Sequence, residues 1–335
     1  MNLKDKIQIV EDCLKDKKVA IGFSGGADST LITYISSKVA KDTLAITIDN
    51  HLMPTGFVEH TQKICRLFNI THEIVDIDFY DDEEFLKNNP QRCYNCRQMM
   101  YSQIIEKSKE NGFEYICDGN NISDLISDRP GILITYAKKF NTPLIEARLT
   151  SKEIHEYLEE NNIPYSKSTT CLATRIPTNT PTTKEKIEKI SKCEDYISAN
   201  TNCRIVKVRD FGRTSICEVD DIDEILCENK YNQINDALKS FGYEKVALNL
   251  SPIDDNEFIS IDYKNGNFSH QLPFTLNLEN TKEIIKNAET INECEIQIGS
   301  ITISKNGLIK GTGFKDYENA LDNFMEILPK LRRNI

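Results

Sequence analysis

The stretch that decides the fold is VAIGFSGGADSTL, residues 19–31. It begins with an apolar run typical of a buried strand and ends where helical periodicity begins. Between the two lies SGGADS, residues 24–29, which we call the phosphate loop. Its glycines allow a tight turn, and its amides, with the hydroxyls of Ser24 and Ser29, can surround a pyrophosphate. A bare Gly-Gly-x-Asp is often an ordinary turn, but the full hexapeptide at this junction favours an anion site.

Three more apolar runs follow along the chain, each separated from the next by helical periodicity, at residues 43–49, 73–77 and 115–118. Strands that alternate with helices form a parallel sheet that helices cover on both faces. The sequence therefore predicts a doubly wound α/β domain over residues 1–165. Ligands of such domains bind at the carboxyl ends of the strands.

The remaining chain has a different pattern. A long irregular loop is followed by helix and strand signals, which predict a smaller α+β domain over residues 166–253. The segment EIQIGSITIS, residues 295–304, alternates at period two around Gly-Ser and is typical of a hairpin. We therefore expect an appended α+β module over residues 254–335.

Composition and charge exclude several classes of protein. The 335 residues carry a net charge of -11, which argues against non-specific binding to nucleic acid. No apolar run approaches the roughly 18 residues of a membrane-spanning helix, and no signal-peptide core follows the N-terminus. We therefore expect a cytoplasmic protein with neither a nucleic-acid nor a membrane partner. Eleven cysteines in such a chain favour metal binding or catalysis over disulfides.

The phosphate loop differs from two common phosphate motifs, since the chain contains neither G-x-x-x-x-G-K-[ST] nor G-x-G-x-x-G. It resembles the loop of the ATP pyrophosphatase (PP-loop) superfamily, whose members adenylate a carbonyl oxygen and release pyrophosphate. The resemblance implies the adenine nucleotide alpha-hydrolase-like fold and implies ATP as a ligand. Asp28 is suitably positioned to help hold Mg²⁺.

Three cysteines form a second candidate site. Cys93 and Cys96 form a C-x-x-C, and Cys171 follows 75 residues later in the long loop. A C-x-x-C alone is also compatible with structural zinc, with a redox pair or with no site. Zinc in a closed site needs four ligands and no convincing fourth is evident. Three ligands with one vacancy suit a 4Fe-4S cluster.

The chain resembles the LarE family over about residues 1–250. The shared segments keep the family's order and spacing, and they are NPQRCYNCR (89–97), DGNN (118–121), DRPG (128–131), PLIEA (143–147) and CLATRIP (171–177). LarE proteins are ATP-dependent sulfur transferases. They convert the carboxylates of pyridinium-3,5-biscarboxylic acid mononucleotide to thiocarboxylates, a step towards the nickel-pincer cofactor of lactate racemase.

The resemblance implies a role for each matching residue. ATP would be bound by Ser24, Gly25, Gly26, Asp28, Ser29, Asp118 and Asn120. Cys93, Cys96 and Cys171 would ligate the 4Fe-4S cluster. Arg175 would stabilise charge near the adenylate, and Lys207 and Arg209 would bind the mononucleotide phosphate. We also expect sulfide or another sulfur donor, and a homo-oligomer.

Two alternatives concern the sulfur and its acceptor. Family members with only the loop cysteine sacrifice its sulfur, which would give Cys171 a single-use role, but the presence of Cys93 and Cys96 favours the cluster. Other PP-loop proteins with similar cysteine triads thiolate tRNA, which the acidic charge disfavours. The sequence also departs from the family pattern: Arg148 replaces a common glycine, and Lys207 replaces an arginine. Lysine keeps the charge but loses the bidentate fork.

Overall fold

The computed structural model describes residues 1–129, 131–166, 170–227, 229–253 and 259–334. The helices are α1 (Leu3–Leu14), α2 (Ala27–Val39), α3 (Phe57–Phe68), α4 (Glu83–Leu86), α5 (Arg92–Glu110), α6 (Ile132–Ala137), α7 (Pro143–Glu146), α8 (Ser151–Glu160), α9 (Lys184–Asn200), α10 (Asp223–Leu226), α11 (Lys230–Ser240), α12 (Leu278–Ile284) and α13 (Tyr317–Ile327). Short 3₁₀ helices lie at Phe79–Asp81, Ile122–Leu125, Leu172–Arg175 and Leu328–Lys330.

The strands are β1 (Lys18–Gly22), β2 (Asp42–Asp49), β3 (Thr71–Asp76), β4 (Tyr115–Cys117), β5 (Val206–Phe211), β6 (Thr214–Val219), β7 (Lys245–Leu248), β8 (Asp262–Lys264), β9 (Asn267–Gln271), β10 (Glu289–Asn292), β11 (Glu295–Ile298), β12 (Ile301–Ser304) and β13 (Leu308–Gly311). Pro130 of the DRPG segment, residues 167–169 of the long loop and residues 254–258 at the expected start of the module lie outside the described residues.

The first sheet is parallel, with the strand order β3-β2-β1-β4. Helices cover both faces of this sheet. Successive side chains of the internal strand β1 point to opposite faces, so they show which helices lie on each side. Val19 and Ile21 of β1 pack with α1, α2, α7 and α8, whereas Ala20 packs with α5 and α6. The predicted doubly wound α/β fold is therefore confirmed.

A smaller sheet follows, in which β5 and β6 are antiparallel and β6 and β7 are parallel. Its buried side chains pack against α9 and α11 around Val208, Cys217, Ile197 and Leu238. This part of the chain therefore contains both helices and strands, as its sequence pattern indicates. The division of the chain at residues 165 and 253 stays a prediction.

The C-terminal region contains a six-stranded sheet of order β10-β11-β12-β13-β9-β8, with antiparallel neighbours. The predicted hairpin is the pair β11 and β12. Phe324 of α13 packs on Phe268 of this sheet. The same apolar cluster includes Ile122 and Ile132 from the N-terminal part of the chain. The C-terminal sheet therefore shares a core with the segments that follow β4.

Arg148 lies in a left-handed backbone conformation, with φ of 54°. Glycine adopts this region without the steric cost that a side chain brings, which explains why glycine suits the position. Here the arginine side chain pairs with Glu326 of α13, and its carbonyl accepts a 2.8 Å hydrogen bond from Lys6 Nζ. The turn therefore forms despite the substitution.

Within the described part of the chain, no helix combines the length and the apolar character needed to cross a membrane.

Candidate active site

A cavity of about 760 Å³ lies at the carboxyl ends of β1, β2 and β4. Its volume falls within the range of small-molecule sites. The predicted residues on its wall include members of both candidate sites, and they are Ser24, Gly26, Asp28, Ser29, Cys93, Cys96, Asp118, Asn120 and Cys171. The fold thus brings the phosphate loop and the three cysteines to one cavity.

The phosphate loop is held by bonds between its own serines and by a close approach to α3. Ser29 Oγ donates to the carbonyl of Gly26 at 3.2 Å and lies 3.2 Å from Ser24 Oγ. Gly25 has a φ of 72°, and a Cβ atom there would lie only 3.1 Å from His60 Cδ2. Glycine is therefore required at this position by both backbone conformation and space.

The phosphate loop ends at the N-terminus of α2, where Gly26 is the N-cap residue and no side chain caps the helix. Backbone N–H groups at such a terminus, with the partial positive charge of the helix dipole, form an anion-binding site. The phosphate loop therefore has the geometry of an anion-binding helix terminus, and its occupation by phosphate stays a prediction.

Asp28 is the carboxylate of the phosphate loop that faces the cavity. Asn121 Nδ2 donates to Asp28 Oδ1 at 3.0 Å, which orients the carboxylate. Mg²⁺ prefers oxygen ligands and is held by one or two carboxylates together with phosphate oxygens. Asp28 therefore fits the requirements of a magnesium ion bound to nucleotide phosphates. Gly119 lets the segment after β4 lie close against the phosphate loop, because a Cβ atom at residue 119 would lie 2.8 Å from the backbone nitrogen of Ser29.

Asp118 is buried at the end of β4, where its carboxylate accepts several hydrogen bonds. Tyr101 Oη donates to Asp118 Oδ2 at 2.7 Å and Thr135 Oγ1 donates to the same oxygen at 2.8 Å. Burial and the neighbouring carboxylate raise the pKa of Tyr101 above its usual value, which keeps this hydroxyl a donor. Asp118 thus organises the cavity wall through its protein partners.

Arg97 is a cavity residue that sequence reasoning did not single out. Its Nη2 atom donates to Asn120 Oδ1 at 2.9 Å and lies 3.4 Å from Asp118 Oδ2, which closes the network around β4. A guanidinium on the cavity wall can bind an anionic group. The sequence feature that pointed to Arg97 is its position directly after Cys96, at the end of the NPQRCYNCR segment (89–97).

The three cysteines come from two segments distant in sequence. Cys93 and Cys96 lie in the first turns of α5, and Cys171 directly precedes the 3₁₀ helix Leu172–Arg175. Burial, together with the neighbouring Cys171 and Cys93, raises the pKa of the Cys96 thiol to about 12. Burial likewise raises the pKa of Cys171. All three cysteines line the same cavity.

The spacing of the thiols bears on the kind of metal they can hold. Zinc binds thiolates at about 2.3 Å, so the sulfurs of one zinc site lie roughly 4 Å apart. Among the described residues, the trio of ligand atoms within 4.8 Å of one another consists of Asp49, His51 and Asp76, not of the cysteines. The three thiols therefore do not all lie within 4.8 Å of one another in this structure.

Arg175 does not lie on the cavity wall. Its guanidinium is 2% exposed and pairs with Glu194 of α9. Lys207 and Arg209 lie on β5 and are also absent from the wall. Arg209 nevertheless reaches the cysteine loop, since its Nη1 atom donates to the carbonyl of Thr174 at 2.8 Å. Arg175 and Arg209 are therefore held by contacts behind the cavity lining, and Lys207 does not belong to that lining.

Comparison with known proteins identifies the N-terminal part of the chain. Residues 1–128 match the family model of the PP-loop domain. The uncharacterised protein MJ0830 of Methanocaldococcus jannaschii is 29% identical over 250 residues, which cover 74% of this chain and 93% of the relative. The uncharacterised protein slr1717 of Synechocystis is 25% identical over 239 residues, which cover 70% and 88%.

A further relative has a named activity. The tRNA-specific 2-thiouridylase MnmA 2 of Thermoanaerobacter is 28% identical over 130 residues, which cover 32% of this chain and 36% of that enzyme. The match to the domain family, the parallel sheet and the loop at the N-terminus of α2 agree with one another. The chain therefore contains a PP-loop domain within residues 1–128.

Proposed function

We propose that this protein is an ATP-dependent sulfur transferase that converts a carboxylate of pyridinium-3,5-biscarboxylic acid mononucleotide to a thiocarboxylate for nickel-pincer cofactor biosynthesis. The observation that carries the proposal is that the phosphate loop and three thiols line one cavity. ATP chemistry and sulfur chemistry at a shared site are what thiolation of an activated carboxylate requires. The 2-thiouridylase relative supports the same pairing of chemistries.

The reaction needs activation because a carboxylate oxygen is a poor leaving group. The substrate oxygen attacks the α-phosphorus of ATP, the bond to the bridging oxygen of the β-phosphate breaks, and pyrophosphate leaves. A sulfur nucleophile then attacks the carbonyl carbon, and the carbon–oxygen bond to AMP breaks. The products are the thiocarboxylate, AMP and pyrophosphate, so no oxidant or reductant is consumed.

The phosphate loop would bind the pyrophosphate as it leaves. Donors preorganised where charge develops are worth more than the same donors in water. The N–H groups at the start of α2 are such donors, and Asp28 would hold Mg²⁺, which neutralises phosphate charge. Arg97 and Asn120, which lie beside Asp118 on the cavity wall, would orient an anionic group of the nucleotide or substrate.

The sulfur would come from the side of the cavity where the three cysteines lie. Cys93, Cys96 and Cys171 would hold a 4Fe-4S cluster, which would supply sulfide to the activated carbon. One feature supports this assignment: the three thiols share a cavity wall on which, among the described residues, no fourth cysteine lies. Sacrifice of the Cys171 sulfur is the alternative route.

Thiolation of tRNA is a second candidate function. It is favoured by the 2-thiouridylase relative, although the aligned part covers only 32% of this chain. The net charge of -11 disfavours it, because binding to a phosphate backbone gains affinity from an excess of lysine and arginine.

The deciding experiment measures pyrophosphate and thiolated product under anaerobic conditions. The protein, with its iron and sulfide counted and with excess sulfide supplied as the sulfur source, is given ATP with the biscarboxylate mononucleotide, ATP with tRNA, or ATP alone. We expect release that depends on the mononucleotide and more than one thiocarboxylate per chain. Cys171→Ala should abolish product, whereas Cys294→Ala, at an exposed cysteine of the C-terminal sheet, should behave as wild type.

Other results would replace the proposal. Release that depends on tRNA would assign the second candidate. One product per chain, with a mass loss of about 34 Da at Cys171, would assign the sacrificial route. If neither the mononucleotide nor tRNA triggers pyrophosphate release, both are excluded as substrates.

A further inference from the structure

We propose that Arg92 and Asn88 form a hydrogen-bonded bridge that positions Cys171 against Cys93 and Cys96. Arg92 is the first residue of α5 and directly precedes Cys93. Asn88 lies in the segment just before this helix begins. Neither residue would act on the substrate. Their role concerns the arrangement of thiols in the protein itself and holds whichever acceptor receives the sulfur.

Arg92 connects the C-x-x-C helix directly to the cysteine loop. Its Nη1 atom donates to the carbonyl of Ala173 at 2.8 Å, two residues after Cys171. Its Nη2 atom lies 3.4 Å from Cys93 Sγ. One planar guanidinium therefore contacts both cysteine-bearing segments, and its rigid geometry sets the distance between them.

Asn88 holds the same loop from the other side. Its Oδ1 atom accepts a hydrogen bond from Arg92 Nη1, and its Nδ2 atom donates to the carbonyls of Pro177 and Thr180 at 3.0 and 2.8 Å. The residue is 1% exposed and its φ is 53°. Asparagine is one of the few residues other than glycine that adopt this conformation readily. Its side-chain contacts show why glycine would not replace it.

Hydrogen bonds are needed here because apolar packing alone does not orient the loop. Leu172 and Ala173 are buried in an apolar cluster with Phe79 and Phe85, against which Cys96 and Cys171 also pack. Such burial is strong but non-directional, so it retains the loop without determining where the Cys171 sulfur points. The bridge supplies direction, because charge-assisted hydrogen bonds are short and depend on angle.

The test measures the proximity of the thiols in the full-length, metal-free protein. Dibromobimane, a short reagent that joins two thiols, is added without ATP, and mass spectrometry quantifies peptides that join Cys171 to Cys93 or Cys96. We expect this product in the wild type and about a tenfold lower yield in Arg92→Ala, as loss of a charge-assisted hydrogen bond implies. Arg92→Lys keeps the charge but lacks the fork, so its yield should stay near that of Arg92→Ala.

A second variant tests the other half of the bridge. Asn88→Asp tolerates the left-handed backbone but loses the donors to Pro177 and Thr180, and it should lower the yield similarly. The matched controls are Asn69→Asp, at an exposed left-handed asparagine, and Arg213→Ala, at an exposed arginine. Both should keep the wild-type yield. Monobromobimane should label the individual thiols of every variant at least as fast as in wild type, which separates proximity from reactivity.

Three outcomes would overturn the proposal. The first is a wild-type yield in both Arg92→Ala and Asn88→Asp. The second is full recovery by Arg92→Lys, which would assign the effect to charge alone. The third is loss of the thermal unfolding transition in both variants, because a positioning role predicts a folded protein. If only one variant fails to fold, the yield of the other decides.

Discussion

Arg175 forms a buried ion pair with Glu194, in which the Nε and Oε1 atoms lie 2.7 Å apart. The same Oε1 atom accepts a hydrogen bond from the backbone of Val208 at 2.8 Å. The pair therefore connects the end of the cysteine loop to α9 and to β5. An arginine expected at the adenylate instead joins three elements behind the cavity wall.

This pair predicts that Arg175→Met destabilises the protein. Removal of one partner leaves the other charge buried without compensation, which costs about 3–5 kcal/mol. Chemical denaturation of the wild type, Arg175→Met and the double variant with Glu194→Leu measures the effect, and the double variant should recover part of the loss. An unchanged free energy of unfolding in Arg175→Met, accompanied by lost activity, would return Arg175 to a direct role at the adenylate.

Asp28→Asn should lower pyrophosphate release by about 10- to 1000-fold, because it removes the carboxylate that would hold Mg²⁺ at the leaving group. The asparagine keeps the size of the side chain, so the midpoint of thermal unfolding should stay near that of wild type. Asp5→Asn, at an exposed aspartate in the first turn of α1, is the control. Near wild-type release by Asp28→Asn would show that this carboxylate does not serve the leaving group.

Gly119→Ala should destabilise the protein by about 1–3 kcal/mol, the usual cost of overpacking. The added Cβ would lie 2.8 Å from the backbone nitrogen of Ser29, so the phosphate loop or the end of β4 must shift. Gly26→Ala is the matched comparison, since its nearest neighbour would lie at 3.5 Å and its φ is -70°. Thermal unfolding separates the two, and equal midpoints would contradict the close approach.

Arg209→Ala should raise the KM for the mononucleotide about tenfold while the affinity for ATP changes little. Arg209 donates to the carbonyl of Thr174, and Thr174 lies on the cavity wall beside Cys171. Steady-state kinetics with each substrate varied in turn gives the two constants. Lys207→Ala, two residues earlier on β5, tests whether the lysine also serves the substrate. Equal weakening for ATP would assign the basic strand to the nucleotide.

Stability should fall as the pH is lowered below about 6.5, the usual pKa of histidine. Burial lowers the pKa of His72, and its Nε2 atom lies 2.8 Å from Thr47 Oγ1. The unfolded chain therefore binds a proton more readily than the folded one, and protonation favours unfolding. His72→Gln should reduce the difference in the free energy of unfolding between about pH 7.5 and pH 5.5. Burial also lowers the pKa of His60, so part of the pH dependence of stability should remain in His72→Gln.

The first sheet and its phosphate loop could be predicted because their signals are local. The apolar run at residues 19–23, the glycines after it and the helical pattern that follows all act within a few residues of one another. The C-x-x-C spacing is equally local, since both cysteines lie within the first turns of one helix. Four of the six C-terminal strands gave weaker signals, because these strands are short and rich in polar residues.

The sequence by itself determined the α/β fold, the loop at the start of α2 and the position of Cys93 and Cys96 on one helix. Each of these features depends on neighbours along the chain. Tertiary structure decided which distant side chains meet: Cys171 reaches the cavity, whereas Arg175 turns to Glu194 behind it. Both residues belong to the same short segment, and their local sequence is compatible with either orientation. The outcome depends on partners supplied by α5, α9 and β5, whose positions follow from the packing of the whole molecule.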